Sequence, residues 1–288
     1  MSNVNVIEID GLCKNYHKFK LKDISFSLPE GYIMGLIGPN GAGKTTTIKL
    51  MLNMIKKSGG DIKIFGLDSI NDQGRIKENV GAVFDSSYFV QDWKVKQVEK
   101  SIGIFYSTWD SKKFQNMVKN FGLDQNKKVK ELSRGMQMKL MVACALSHDA
   151  RLLILDEPTS GLDPVARDEF LDILSEFIQD GKRSVLFSTH ITSDLDKIAD
   201  YITFINNGNL FYTGAKDDFI DGFRMVKGGK NDLGIEQERK LMGIRKYSTG
   251  FEGLIKASDI RSFSNMSCEP VSIDDIIIFT SKGGSNNE

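Results

Sequence analysis

The stretch Gly38-Pro39-Asn40-Gly41-Ala42-Gly43-Lys44-Thr45-Thr46 constrains this chain more than any other. Before it, residues 32–37 supply Ile33, Met34, Leu36 and Ile37, an apolar run of the length of a short buried strand. After it, residues 46–54 carry Ile48, Leu50, Met51 and Leu52 in helical fashion. Strand, glycine-rich loop and helix in that order, with Gly38-x4-Gly43-Lys44-Thr45 between them, make the P-loop pattern. The glycines let backbone N–H groups converge on phosphate oxygens, the helix start adds its positive dipole end, and Lys44 supplies a point charge. Thr45 offers a hydroxyl to a magnesium ion. The bland alternative, a glycine-rich turn that binds nothing, accounts poorly for a strand and a helix placed on either side.

Bulk properties exclude several classes. Lysine plus arginine and aspartate plus glutamate balance at 38 each in 288 residues, so no global field argues for nucleic acid or an anionic membrane surface. Cys13, Cys144 and Cys268 are scattered, with no C-x-x-C pair, which suits a reducing cytosol and a packing role. The first residues lack the basic and apolar regions of a signal peptide, and no window of about 18 apolar residues occurs, so the chain is expected to be cytoplasmic.

Along the chain, residues 4–9 and 23–28 show strand-like patterns and form an expected antiparallel layer, with Tyr16 in a polar loop between them. Tyr16 fits either packing or stacking on a nucleotide base. Further strands are expected at residues 61–65 and 80–84. Residues 95–121 read as helical, with Val98, Ile102, Phe105, Tyr106, Trp109, Phe114, Met117, Val118 and Phe121 on shared faces. These aromatics fit the core, or, for Phe105, Tyr106 and Trp109 near a helix end, an exposed docking patch.

Ser133 reads as the N-cap of a helix bearing Met136, Leu140 and Cys144. Residues 152–155, Leu-Leu-Ile-Leu, then behave as a strand buried on both faces, ending in Asp156-Glu157-Pro158. Asp163 and Pro164 cap and open another helix, whose stripe is Phe170, Ile173, Leu174, Phe177 and Ile178. A second buried strand, residues 184–188, delivers Thr189 and His190. In open α/β sheets, ligands sit at the carboxyl ends of strands, so Asp156, Glu157 and His190 are expected to converge on the P-loop. A histidine in isolation is more often simply hydrogen-bonded; its place here gives it a functional alternative. Two strands over residues 201–214, joined by the hairpin turn Asn206-Asn207-Gly208-Asn209, close this region. Residues 216–288 read as a small appended α/β segment with a polar, frayed tail from Gly283.

Together these residues resemble the ATP-binding subunit of ATP-binding-cassette (ABC) transporters over about residues 4–214. Tyr16 matches the adenine-stacking loop, Gly38 to Thr46 the Walker A motif, and Leu132-Ser133-Arg134-Gly135-Met136 the signature motif. Residues 152–157 match Walker B, Ser160 to Asp163 the D-loop and His190 the switch histidine. The resemblance implies an α/β fold: a P-loop NTPase core with a parallel sheet, an antiparallel β layer, a helical subdomain at about residues 86–150 within a domain of residues 1–215, and a C-terminal extension at 216–288. It implies ATP and Mg2+ as cofactors. Gly38, Asn40, Gly41, Ala42, Gly43, Lys44, Thr45 and Thr46 would hold the phosphates, with Tyr16 on the base; Ser133, Gly135 and Asp163 would contact nucleotide across a dimer. Thr45 and Asp156 would hold the metal, Glu157 would activate water, and His190 and Lys44 would stabilise the transferring phosphoryl group. The implied partners are a second cassette, identical or not, and an integral membrane permease seated near residues 85–109, which would hold the chain on the inner face of the membrane.

Three departures stand out. The usual signature Leu-Ser-Gly-Gly-Gln has Arg134 at its third place and Met136 at its fifth, and Asp85 stands where the family has a metal-reaching glutamine. Asp85 is therefore expected in the metal shell as an anion. Leu-Ser-Arg-Gly-Met and the tail Val271-Ser272-Ile273-Asp274-Asp275-Ile276-Ile277 are similar to cassettes of ABC-2-type exporters, such as those for lantibiotics, bacitracin and phenol-soluble modulins. The alternatives are a soluble cassette ATPase acting on nucleic acid or ribosomes, disfavoured by the neutral charge and the absence of a coiled-coil insertion, and an inactive binding module, opposed by Lys44, Asp156, Glu157 and His190.

Overall fold

The computed structural model describes residues 4–283. Chain contacts divide it into two compact units, Met1–Phe211 and Tyr212–Glu288. The tail expected beyond Gly283 lies outside the described residues.

The first unit starts with β1 (Asn5–Asn15) and β2 (Lys20–Pro29), paired antiparallel with Ile7 opposite Leu28 and Ile9 opposite Phe26. Both strands run further than their apolar patterns, so Cys13 and Asn15 belong to β1 and only the turn around Tyr16 is loop. Then come β3 (Ile33–Ile37), α1 (Lys44–Met51), β4 (Gly59–Ile64), β5 (Leu67–Asp68), α2 (Gln73–Glu78) and β6 (Val80–Val83). Next follow α3 (Val95–Gly103), α4 (Ser111–Asn120), α5 (Arg134–Leu146), β7 (Leu152–Asp156), α6 (Pro164–Phe177), β8 (Ser184–Ser188), α7 (Thr192–Ile198), β9 (Tyr201–Asn206) and β10 (Asn209–Ala215). The ten strands lie in the order β5-β4-β1-β2-β10-β9-β3-β8-β7-β6. β9, β3, β8, β7 and β6 are paired parallel, and the expected antiparallel layer is β1 with β2 and β4.

Every residue of β3, β7 and β8 is buried. Burying a Leu, Ile or Phe side chain contributes about 2 kcal/mol, so strands without a polar face are held in the centre of the sheet. Their shared direction puts the ends of β3, β6, β7 and β8 on one side. The β9–β10 turn has positive φ at Asn207 (48°) and Gly208 (75°), the backbone of a tight two-residue hairpin.

The helices expected over residues 95–121 are α3 and α4, the first of them shorter than its apolar pattern. α3 stops at Gly103 because the Trp109 indole packs there: a Cβ would sit 3.0 Å from the ring. α4 restarts where Asp110 accepts the Lys113 N–H at 2.9 Å. Phe105, Tyr106 and Trp109, expected near a helix end, therefore sit in the connection just past the end of α3. They also divide by role. Phe105 and its neighbour Ile104 are 73% and 78% exposed, whereas Tyr106 stacks on buried His148 at 4.0 Å.

In the second unit, α8 (Lys216–Asp221), β11 (Phe223–Gly229), α9 (Ile235–Glu238), β12 (Gly243–Lys246), β13 (Gly250–Lys256), β14 (Ser267–Glu269) and α10 (Ile273–Gly283) form an α/β unit as expected. Its sheet runs β12-β13-β11-β14 around Val226, Phe251, Ile255 and Phe263. α10 buries Ile273, Ile276 and Phe279, and Gly243 is required beneath it because a Cβ there would strike the Phe279 carbonyl.

Burial of His148 predicts that acid destabilises the first unit. His148 is 4% exposed, and burial pulls its pKa down to about 4 against the opposing pull of the Glu78 backbone and carboxylate. Lys113 and Asp149 are its other charged neighbours, acting in opposite directions. The unfolded chain takes up this proton near pH 6.5 and the folded one near 4, so the stabilisation is complete above the first value and lost as pH falls towards the second. Chemical denaturation across that interval should show wild type losing on the order of 2 kcal/mol more stability than His148→Phe.

Candidate functional site

The loop leaving β3 folds the way its glycines require. Gly38, Gly41 and Gly43 have φ of 146°, 80° and 119°. At Gly38 a side chain would also collide with the Ile205 carbonyl, and at Gly43 it would meet Phe19 at 3.1 Å and Leu21 at 2.8 Å. Gly41 faces open space. α1 begins directly at Lys44, whose ammonium is 6% exposed and donates to the Gly38 carbonyl at 2.8 Å. A buried ammonium needs anionic or carbonyl company, and Glu157 Oε1 supplies the rest at 3.4 Å.

The ends of β7 and β8 complete the site. Asp156 Oδ1 accepts from Thr45 Oγ1 at 3.0 Å and from Ser188 Oγ at 2.7 Å. Glu157 has a left-handed backbone (φ 51°), its N–H held by Ser188 Oγ at 3.0 Å. A non-glycine residue there is strained and is kept only because its surroundings over-determine it. The result aims the Glu157 carboxylate between Lys44 and His190, whose Nδ1 lies 2.6 Å from Oε2. Behind it, Thr159 donates to buried Asp194 at 2.6 Å, locking the turn after β7 to α7; burial raises the Asp194 pKa against that hydrogen bond.

Phe19, Asn40, Gly41, Ala42, Gly43, Lys44, Thr45, Thr46, Asp85, Glu157, Ser160 and His190 line a cleft of about 570 Å³. A more apolar groove of about 700 Å³, including Phe84, Tyr88, Ile102, Tyr106 and Asp156, shares Thr45, Asp85 and Glu157 with this cleft. Of the residues expected here, Gly38 lies beneath the loop as the Lys44 acceptor. Tyr16, Ser133, Gly135, Asp156 and Asp163 do not line the cleft, though Asp156 lines the adjoining groove.

Tyr16 is 44% exposed, with the Lys14 ammonium over its ring at 5.1 Å and Phe19 6.4 Å away. Phe19 is the aromatic in the cleft wall, packed on Gly43 and Gly208, and sequence reasoning missed it. The sequence shows only an aromatic one residue before β2; the glycines it faces lie far along the chain. Ser133 caps α5 by accepting the Met136 N–H at 3.3 Å, on the protein surface. Asp163 caps α6 by accepting from Val165 and Ala166 at 3.0 Å each, and those bonds hold its carboxyl below the usual range.

Thr45 and Asp156 offer a hydroxyl and a carboxylate bonded to each other, the hard oxygen donors a magnesium ion takes. Among the described residues no group of three or more His, Cys, Asp or Glu could enclose a metal. Asp85 has its carboxylate paired with the Arg134 guanidinium.

The cleft can thus receive phosphates on backbone N–H groups and a lysine, beside an oriented carboxylate. Residues 21–160 match the family model described as ABC transporter. The chain is 33% identical over 225 residues to an uncharacterized ABC transporter ATP-binding protein, YhcH of Bacillus subtilis (strain 168), covering 75% of this chain and 72% of that one. A solved ATP-binding subunit of an ABC transporter matches at TM-score 0.67 and 25% identity, over 74% of this chain and 91% of that one. The structure of cbiO1 from Clostridium perfringens, part of the ABC transporter complex cbiONQ, matches at TM-score 0.62 and 25% identity, over 75% and 90%. The chain belongs to the ATP-binding subunits of ABC transporters: it has their P-loop NTPase fold, binds ATP, and its reaction is ATP hydrolysis.

Proposed function

We propose that this chain energises an ABC-2-type exporter of peptides or antibiotic-like compounds, as a peripheral subunit on the inner face of the membrane. Leu132 to Met136 and the Val271 to Ile277 tail support the exporter class by their resemblance. Among the described residues no helix is long and apolar enough to cross a membrane. In this reading residues 1–215 are the nucleotide-binding domain, 86–150 its helical subdomain and 216–288 an extension.

The observation that carries the mechanism is Glu157 between Lys44 and His190. ATP entering the loop gives Lys44 a stronger anionic partner than Glu157. The freed carboxylate then orients and deprotonates the attacking water, while His190 and Lys44 face the γ-phosphate. Backbone N–H groups of Asn40 to Thr46 hold the phosphates, Gly38 anchors Lys44, and Tyr16 and Phe19 flank the base side. Thr45 and Asp156 would hold Mg2+, with Asp85 near its shell; when bound, the ion neutralises phosphate charge.

Ser133 and Gly135 sit at a capped helix start outside their own cleft. That arrangement supports a head-to-tail dimer with a second cassette, identical or not, where Ser133, Gly135 and Asp163 of one subunit close the other's site. The apolar groove and the neighbouring exposed Ile104 and Phe105 support a permease helix seated there.

Glu157→Gln should cut ATP turnover at least about 100-fold while ATP affinity and ATP-dependent dimerisation persist. Lys44→Ala should lose both affinity and dimerisation; unchanged ATP affinity in that variant would overturn the phosphate reading. Ile104→Ser with Phe105→Ser should leave the purified ATPase within about twofold of wild type, because exposed side chains far from the phosphates contribute little. Co-purification with an integral membrane permease should be lost in that pair; retention argues against this docking face.

A further inference from the structure

Arg134 is the first residue of α5, and its side chain leaves its own helix. The guanidinium forms an ion pair with Asp85, two residues past the end of β6, and reaches Ser160 Oγ at 3.5 Å in the turn after β7. It also lies across Gly161, where φ is 77° and a Cβ would sit 3.2 Å from the guanidinium carbon. Asp85 and Ser160 both line the phosphate cleft. One side chain thus joins the start of α5 to two of the loops that wall the site.

As a contribution to stability the pair is small, since its side chains are 53% and 52% exposed and solvent screens them. Its effect on the cleft is larger in kind. Asp85, Asp156 and Glu157 place three carboxylates around a region that receives a triphosphate, and Lys44 is the cation on the cleft floor. An unpaired Asp85 would repel the incoming anion, and Arg134 cancels that charge where it stands.

We propose that Arg134 is a positioning residue of the ATPase: its ion pair with Asp85 neutralises and fixes the loop after β6 at the mouth of the phosphate cleft, coupling the cleft to the start of α5. The proposal rests on the cleft being the ATP site. If α5 also serves the nucleotide of a second subunit, the same pair links the two sites through one side chain.

The test uses the full chain as wild type, Arg134→Ala, Asp85→Ala and the double variant. A fluorescent ATP analogue is titrated with EDTA present, so that metal binding does not enter, and MgATP hydrolysis is followed in parallel. Arg134→Ala should weaken metal-free binding about three- to fivefold, the range of a half-exposed charge interaction. Adding Asp85→Ala should restore it to the wild-type value, and Arg134→Lys should keep most of it. A loss that Asp85→Ala does not relieve, or no loss at all, overturns the proposal. Arg134→Gln gives the same comparison should the alanine variant not fold. Wild type failing to bind the analogue would instead overturn the reading of the cleft itself.

Discussion

Parallel pairing of β3 with β8 and of β8 with β7 is the constraint on which the rest of this structure depends. All fifteen positions of these three strands are buried, so none can turn a face to water or slip register without exposing apolar surface. Because the strands run the same way, their carboxyl ends must open on the same edge. The P-loop, Asp156-Glu157 and Thr189-His190 meet there, although more than a hundred residues separate the first from the others.

Within that edge, charge compensation decides the detailed geometry. Lys44 is buried, and its ammonium is shared between the Gly38 carbonyl and Glu157. Glu157 is in turn divided between Lys44 and His190, and its strained backbone is held by Ser188. The strain is an observation about the fold; its functional use is the availability of a carboxylate aimed at the phosphate loop rather than back along β7. Thr45, Asp156 and Ser188 form a second, adjoining hydrogen-bonded set. The site is therefore preorganised by the same contacts that satisfy its buried polar groups.

Much of this was legible in local sequence. Gly38-x4-Gly43-Lys44-Thr45 declares its loop because only glycine relieves both the positive φ values and the close approach of Ile205. Ser133 and Asp163 announce their helices because capping is a contact over two or three residues. Periodicity overran one helix end. Phe105, Tyr106 and Trp109 continue the spacing of α3, yet Trp109 packing on Gly103 and the Asp110 cap break the helix, and no periodic pattern encodes a tertiary contact. Phe19 went unnoticed for the same reason: its place in the cleft wall depends on Gly208, which lies far along the chain.

The sequence by itself determined the family, the phosphate loop, the buried strands and the helix caps, all of which are written in short stretches of consecutive residues. Only the tertiary structure decided what the departures do. Asp85 and Arg134 could each be seen as unusual, but their ion pair over Gly161 exists because β6, β7 and α5 deliver three distant segments to one corner of the cleft. The pairing of charges is a property of that geometry, and a one-dimensional pattern carries the identities of the residues but not the distance between them.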